Sequence, residues 1–94
     1  MRAIKVKVKF FAYFREVFGA KEKELVLEGG STLAELLGKL AETSQRKSEL
    51  FQNGRLKPQV VVMVNGSVIA AENLSGTRLE DGASIAIFPM MGGG

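Results

Sequence analysis

The sequence predicts an α+β domain in which one mixed sheet of about five strands packs on a single main helix. Three observations predict it. Ile4, Val6, Val8 and Phe10 alternate with Lys5, Lys7 and Lys9, the period-two pattern of a strand with one dry and one wet face. Thr32-Leu33-Ala34-Glu35 is a capping box, and Leu33, Leu36, Leu37 and Leu40 then recur at helical spacing as one apolar stripe. Val60-Val61-Val62-Met63-Val64 is an unbroken apolar run closed by Asn65-Gly66, the strongest two-residue hairpin signal.

The remaining elements follow in order. Phe11 to Phe18 is too aromatic and continuous for a tight turn and reads as a short helix stopped by Gly19. Lys23 to Glu28 is a second strand with Leu25 and Leu27 on one side, broken by Gly29-Gly30. Thr43 to Gly54 reads as another short helix, with Leu50 and Phe51 buried and the Asn53-Gly54 turn at its end. Ser67 to Ala70 would return as an edge strand, and Leu79-Glu80-Asp81-Gly82 would turn into the last strand, Ser84 to Phe88. Residues 1–89 are expected to form one domain and residues 90–94 a flexible glycine tail. At 10.2 kDa, surface scaling gives ~5,300 Å² folded against ~14,800 Å² extended, so roughly 64% is buried. That suffices for a core without staples.

Composition removes most chemistry. The chain has no His and no Cys, hence no thiolate nucleophile, imidazole base or ordinary zinc site. Gly29-Gly30-Ser31-Thr32 lacks the spacing and the lysine of a phosphate loop. Neither a self-contained active site nor a bound metal or cofactor is expected. Absent Cys fits a reducing cytosol, no run approaches the ~20 apolar residues of a membrane span, and Met1 to Lys9 is no signal peptide. The expectation is a cytoplasmic protein. Net charge is +3; Lys5, Lys7 and Lys9 read as a solvated strand face suited to an acidic protein partner, not to nucleic acid.

Two features point outward. A single helix covers one sheet face, yet the last long strands are apolar on both. Val62, Val64, Ile85 and Ile87 can pack under the helix, which leaves Val61, Met63, Ala86 and Phe88 on the open face for a partner. The sequence then runs Phe88-Pro89-Met90-Met91-Gly92-Gly93-Gly94. A glycine tail is thin enough to thread a cleft that would reject any side chain. From Pro89 it reaches on the order of 17 Å at ~3.3 Å per residue, with the α-carboxylate of Gly94 at its tip.

The order of elements resembles the β-grasp fold of ubiquitin-like proteins. Phe11-Ala12 with Arg15-Glu16 and Gly19, then Val64-Asn65-Gly66, then Asp81-Gly82 through Ile87-Phe88-Pro89, are similar to segments of the small subunit of molybdopterin synthase (MoaD type), in the sulfur-carrier branch. Gly92 takes the place of that family's small residue and Gly93-Gly94 that of its terminal pair; Met90-Met91 stands where Pro-Val is common. The resemblance implies that a ubiquitin-activating-like enzyme uses ATP to adenylate Gly94, that sulfur replaces AMP, and that the thiocarboxylate serves a molybdopterin synthase large subunit within a heterotetramer. It implies partner contacts at Val61, Met63, Ala86, Phe88, Pro89, Met90 and Met91, with Lys5, Lys7 and Lys9 steering. Three alternatives share the fold: an archaeal modifier joined to lysines by isopeptide bonds, a thiazole-synthesis sulfur carrier, and a non-catalytic interaction module.

Overall fold

A computed structural model describes residues 2–90 of the chain. The elements run β1 (Ala3–Phe10), α1 (Phe14–Phe18), β2 (Glu22–Glu28), α2 (Leu33–Leu40), α3 (Ser44–Leu50), β3 (Phe51–Gln52), β4 (Arg55–Leu56), β5 (Val60–Val64), β6 (Ser67–Val68), a 3-10 turn at Ala71–Asn73 and β7 (Ser84–Pro89). Five strands form the main sheet in the order β2-β1-β7-β5-β6, and β3-β4 is a separate two-stranded ribbon. Strand β1 is antiparallel to β2 and parallel to β7, while β7 is antiparallel to β5.

The alternation in β1 becomes geometry directly. Ile4, Val6, Val8 and Phe10 are buried and the lysines between them exposed. Strand β2 pairs along its full length, Leu27 opposite Ile4 and Leu25 opposite Val6. In α2 the capping box closes reciprocally: the Glu35 N–H donates to Thr32 Oγ1 at 3.2 Å, and the Thr32 N–H donates to Glu35 Oε1 at 2.9 Å. These bonds satisfy backbone donors that a helix start otherwise leaves unpaired. Leu33, Leu36, Leu37 and Leu40 are all buried against the sheet. Each contributes about 1.5–3 kcal/mol of apolar transfer.

Two short helices close the end of the core. Gly19, at φ +71°, ends α1 in the left-handed region. Phe10 and Phe18 stack with centroids 4.6 Å apart, and Phe14 lies beside them, fully buried. Thr43 Oγ1 caps α3 by accepting the Arg46 N–H at 3.1 Å. Arg46 then straps α3 to α1: its Nε donates to the Val17 carbonyl at 3.1 Å, its Nη1 to Glu42 Oε1 at 3.1 Å, and its guanidinium lies 5.7 Å from the Phe18 ring centre.

The structure corrects four details of the sequence reading. The helix expected over Phe11 to Phe18 begins only at Phe14, after a turn through Ala12 at φ +54°. The helix expected over Thr43 to Gly54 ends at Leu50, because Phe51 turns extended and Asn53-Gly54, at φ +54° and +77°, closes a hairpin between β3 and β4. Phe51 is half-buried, not buried. The edge strand expected over Ser67 to Ala70 keeps only Ser67 and Val68, since the chain leaves the sheet for the 3-10 turn.

Replacing Thr32 by Ala removes the capping acceptor and is expected to cost about 0.5–2 kcal/mol. A thermal melt should show a drop of about 4–8 °C for each kcal/mol lost. Burial first, and then the Glu49 carboxylate, push the Tyr13 phenol above its ordinary 10.0. The folded state therefore holds the Tyr13 proton more tightly than the unfolded chain does. The resulting stabilisation is fully present below pH 10.0 and is lost as pH rises through the folded value. In an absorbance titration Tyr13 should ionise above pH 10.0, and Glu49→Gln should move the midpoint back toward it.

Candidate functional site

The register of β7 between β1 and β5 builds the open face of the sheet. Val61 lies opposite Phe88, Met63 opposite Ala86, and Lys9 opposite Ala86 on the other side. Val61, Met63, Ala86 and Phe88 are half-buried, whereas Val60, Val62, Ile85 and Ile87 between them are buried under α2. The division of faces expected from the apolar runs is the one observed, except that Val64 is half-buried on the helix side.

Above this face the chain leaves β1 in an unusual way. The Phe11 N–H donates to the Ile87 carbonyl at 3.1 Å, extending the parallel ladder one step past the strand. Ala12 follows at φ +54°, a left-handed conformation that costs a residue with a Cβ about 1–2 kcal/mol. Turn bonds hold it there: the Phe14 N–H donates to the Phe11 carbonyl at 3.2 Å and the Arg15 N–H to the Ala12 carbonyl at 3.1 Å. Arg15 folds back, its Nε donating to the Phe10 carbonyl at 3.0 Å and its guanidinium lying 5.7 Å from the Phe11 ring centre. Phe11 meets Phe88 edge to face, centroids 6.1 Å apart at 89°.

These residues enclose a shallow concavity of about 390 Å³ lined by Phe11, Ala12, Met63, Ala86, Phe88 and Pro89, without a polar atom in its exposed lining. A larger concavity of about 650 Å³ lies among Ala34, Phe51, Arg55, Lys57 and Leu74, on the helix side of the sheet. Its rim mixes charges, with Glu72 beside the basic residues. The smaller concavity is the one that adjoins the end of β7. Pro89 is part of its wall, and the next residue, Met90, is 61% exposed with its N–H bonded to the Gln59 carbonyl at 2.6 Å.

The sequence-predicted residues separate into groups. Met63, Ala86, Phe88 and Pro89 converge on the concavity, while Val61 shares the face one step away. Met90 marks the point where the chain departs. Met91, Gly92, Gly93 and Gly94 lie outside the described residues. Lys5, Lys7 and Lys9 do share the open face, but β2 sets Glu24 opposite Lys7 and Glu22 opposite Lys9. Lys7 Nζ lies 3.5 Å from Glu22 Oε2, so the surface toward β2 is mixed in sign and not a basic stripe. Phe11 and Ala12 were missed as wall residues because they read as the start of a helix. The signal was parity: Phe11 continues the Lys5, Lys7, Lys9 series onto the open face.

Comparison with known families gives a match to the ThiS family over residues 8–94. The chain belongs to the ThiS family. Small archaeal modifier protein 3 of Haloferax volcanii is 33% identical over 92 residues, covering 97% of this chain and 100% of the relative. The crystal structure of SAMP1 from Haloferax volcanii superposes with a TM-score of 0.81 at 27% identity, covering 96% of this chain and 99% of that one. A candidate molybdopterin converting factor, subunit 1, from Pyrococcus furiosus does so with a TM-score of 0.73 at 28% identity, covering 92% of this chain and 97% of that one. The fold is β-grasp, ubiquitin-like. In this ThiS-family chain, no helix among the described residues is long and apolar enough to cross a membrane.

Phe88 is only half-buried and rests on Phe11. Phe88→Ala should therefore leave the domain folded and cost less than the ~3–5 kcal/mol of a fully buried Phe→Ala change. A denaturant melt of the free protein measures it.

Proposed function

We propose that this ThiS-family chain is a sulfur carrier whose Gly94 α-carboxylate is the reacting group, and that it donates sulfur to a pterin precursor in molybdopterin biosynthesis. The observation that carries the reading is that the family match extends through the glycines to residue 94. The described structure supports it: β7 delivers the chain, at Pro89 and Met90, from the edge of an apolar docking face.

The chemistry needs a partner, since a carboxylate is a poor electrophile and the chain has neither Cys nor His. In an adenylating enzyme of the ubiquitin-activating type, a Gly94 carboxylate oxygen attacks the α-phosphorus of ATP and pyrophosphate leaves. A sulfur nucleophile then attacks the acyl carbon and AMP leaves, giving a thiocarboxylate. A molybdopterin synthase large subunit, as the second partner in a heterotetramer, would receive that group. Both steps belong in the cytoplasm. A slender tail serves both clefts, because glycine presents no side chain to them.

The modifier reading is the second one, favoured by the relative named small archaeal modifier protein 3. It shares the adenylate and differs in the acceptor, a lysine amine in place of sulfur, with an isopeptide as product.

Incubation with the adenylating enzyme of its own host, ATP and a sulfide source should raise the intact mass by one oxygen-to-sulfur exchange. Removing Gly94, or appending one residue after it, should abolish the gain. Gly93→Val should leave the melting temperature unchanged and block adenylation. Full thiolation of the extended protein would falsify the assignment of Gly94. Branched lysine peptides bearing the tail, without thiocarboxylate, would select the modifier reading.

A further inference from the structure

Met90 is fixed to the loop that leads into β5. Its N–H donates to the Gln59 carbonyl at 2.6 Å. The Val60 N–H closes a turn on the Lys57 carbonyl at 3.0 Å, which keeps the Cα atoms of Lys57 and Val60 within about 7 Å. Lys57 and Pro58, the two residues before Gln59, both line the larger concavity on the helix side of the sheet. Arg55, also in that lining, is two residues further back and at most ~7 Å from Lys57. Residues 91–94 follow Met90 and span up to about 13 Å at ~3.3 Å each. The end of the chain is long enough to reach both cations.

The lining selects its occupant. Its charged residues are Arg55, Lys57 and Glu72. Among the described residues the ion pairs join Lys7 to Glu22 and Arg46 to Glu42, so neither Arg55 nor Lys57 is in one. Two cations against one anion leave the lining one charge positive. Phe51 is half-buried there, and Ala34, Pro58 and Leu74 share the apolar part. An occupant with one carboxylate and one apolar side chain fits. Met91-Gly92-Gly93-Gly94 offers those two groups and no other side chain. Methionine fills irregular apolar gaps and packs well on aromatic rings. The tether favours this segment over a second copy or a separate acidic peptide, because a short link holds its end at an effective concentration in the mM range.

We propose that the C-terminal segment rests in this concavity when no enzyme is bound, with Met91 against Phe51 and the Gly94 α-carboxylate between Arg55 and Lys57. The proposal rests on the proposed function only in taking that carboxylate as a free chain end, and adds a resting site for it. Glu72 opposes the contact and keeps the hold weak. A thiocarboxylate carries the same negative charge, so the loaded form is held in the same way. An enzyme must draw the segment out, and its apparent affinity is scaled by the fraction of chains in which the segment is free.

Amide NMR spectra of the full chain, compared with the same chain carrying a Gly94 α-amide, test the proposal alongside melts of each protein. At low salt the two should differ at Ala34, Phe51, Arg55 and Leu74, and the differences should shrink as salt screens the contact. They should vanish when Arg55→Gln and Lys57→Gln are combined, and grow in Glu72→Gln. The double variant should also be adenylated by the enzyme of its own host with a KM about fivefold lower, the size of a partly exposed charge contact. A KM that rises instead shows the two cations gripping the enzyme, and overturns the proposal. If the double variant unfolds, Glu72→Gln decides, since differences no larger than those of the wild type overturn the proposal. Differences confined to Met63, Ala86 and Phe88 put the segment on the open face and overturn it. Differences that grow with protein concentration name a second copy as the source of the segment and overturn it as well. Spectra that do not differ, with wild type thiolated normally, overturn the proposal and leave the proposed function standing. The expected differences in a chain that is never thiolated uphold the resting site and overturn the proposed function.

Discussion

The parallel pairing of β1 with β7 is the interaction on which the rest depends. It joins residues far apart in the sequence, Lys7 to Ser84 and Phe10 to Ile87, and it places β7 between β1 and β5 at the centre of the sheet. Parallel neighbours need a long crossover; here everything from β2 to β6 forms it, and α2 packs against the sheet on the way. The register is unforgiving. A slip of one residue would turn Ile85 and Ile87 out of the core and drive Ala86 and Phe88 under the helix. The open apolar face and the exit of the chain are thus both set by one ladder.

Much of the fold was legible because it rests on local rules. The period-two alternation in β1, the reciprocal cap of Thr32 and Glu35, and the leucine stripe of α2 are each settled within a few residues. The Asn65-Gly66 hairpin also reads directly, at φ +49° and +88°. Assignment of faces followed from counting: with one main helix to cover two apolar faces, Met63, Ala86 and Phe88 had to lie opposite it.

What escaped the sequence depends on partners distant in the chain. Nothing near Lys7 says that β2 will bring Glu22 to 3.5 Å from it, so three lysines read as a solvated face suited to an acidic partner where the fold makes a surface of mixed sign. Asn53-Gly54 carries the same turn signal as Asn65-Gly66. It was read as a turn, but one ending a helix and not one closing a hairpin, because the flanking strands β3 and β4 have two residues each, too short to show a period. Ala12 was hidden most thoroughly. Alanine favours helices, and its left-handed conformation is imposed by the Phe11–Ile87 ladder bond and the Arg15 clamp.

The bond from the Met90 N–H to the Gln59 carbonyl has a consequence beyond its own strength. Gln59 sits in a tight turn closed by the Val60 N–H on the Lys57 carbonyl at 3.0 Å, so Met90 is clamped to the sheet beside Pro89, a wall of the apolar concavity. Under the proposed function the domain would work as a depth gauge. An enzyme that gripped the concavity would also hold the zero mark from which the remaining residues are counted. Each residue inserted after that mark would lengthen the reach by up to about 3.3 Å, whichever enzyme held it. Unrelated enzymes that used this face would thereby have to bury their reactive centres at one shared depth.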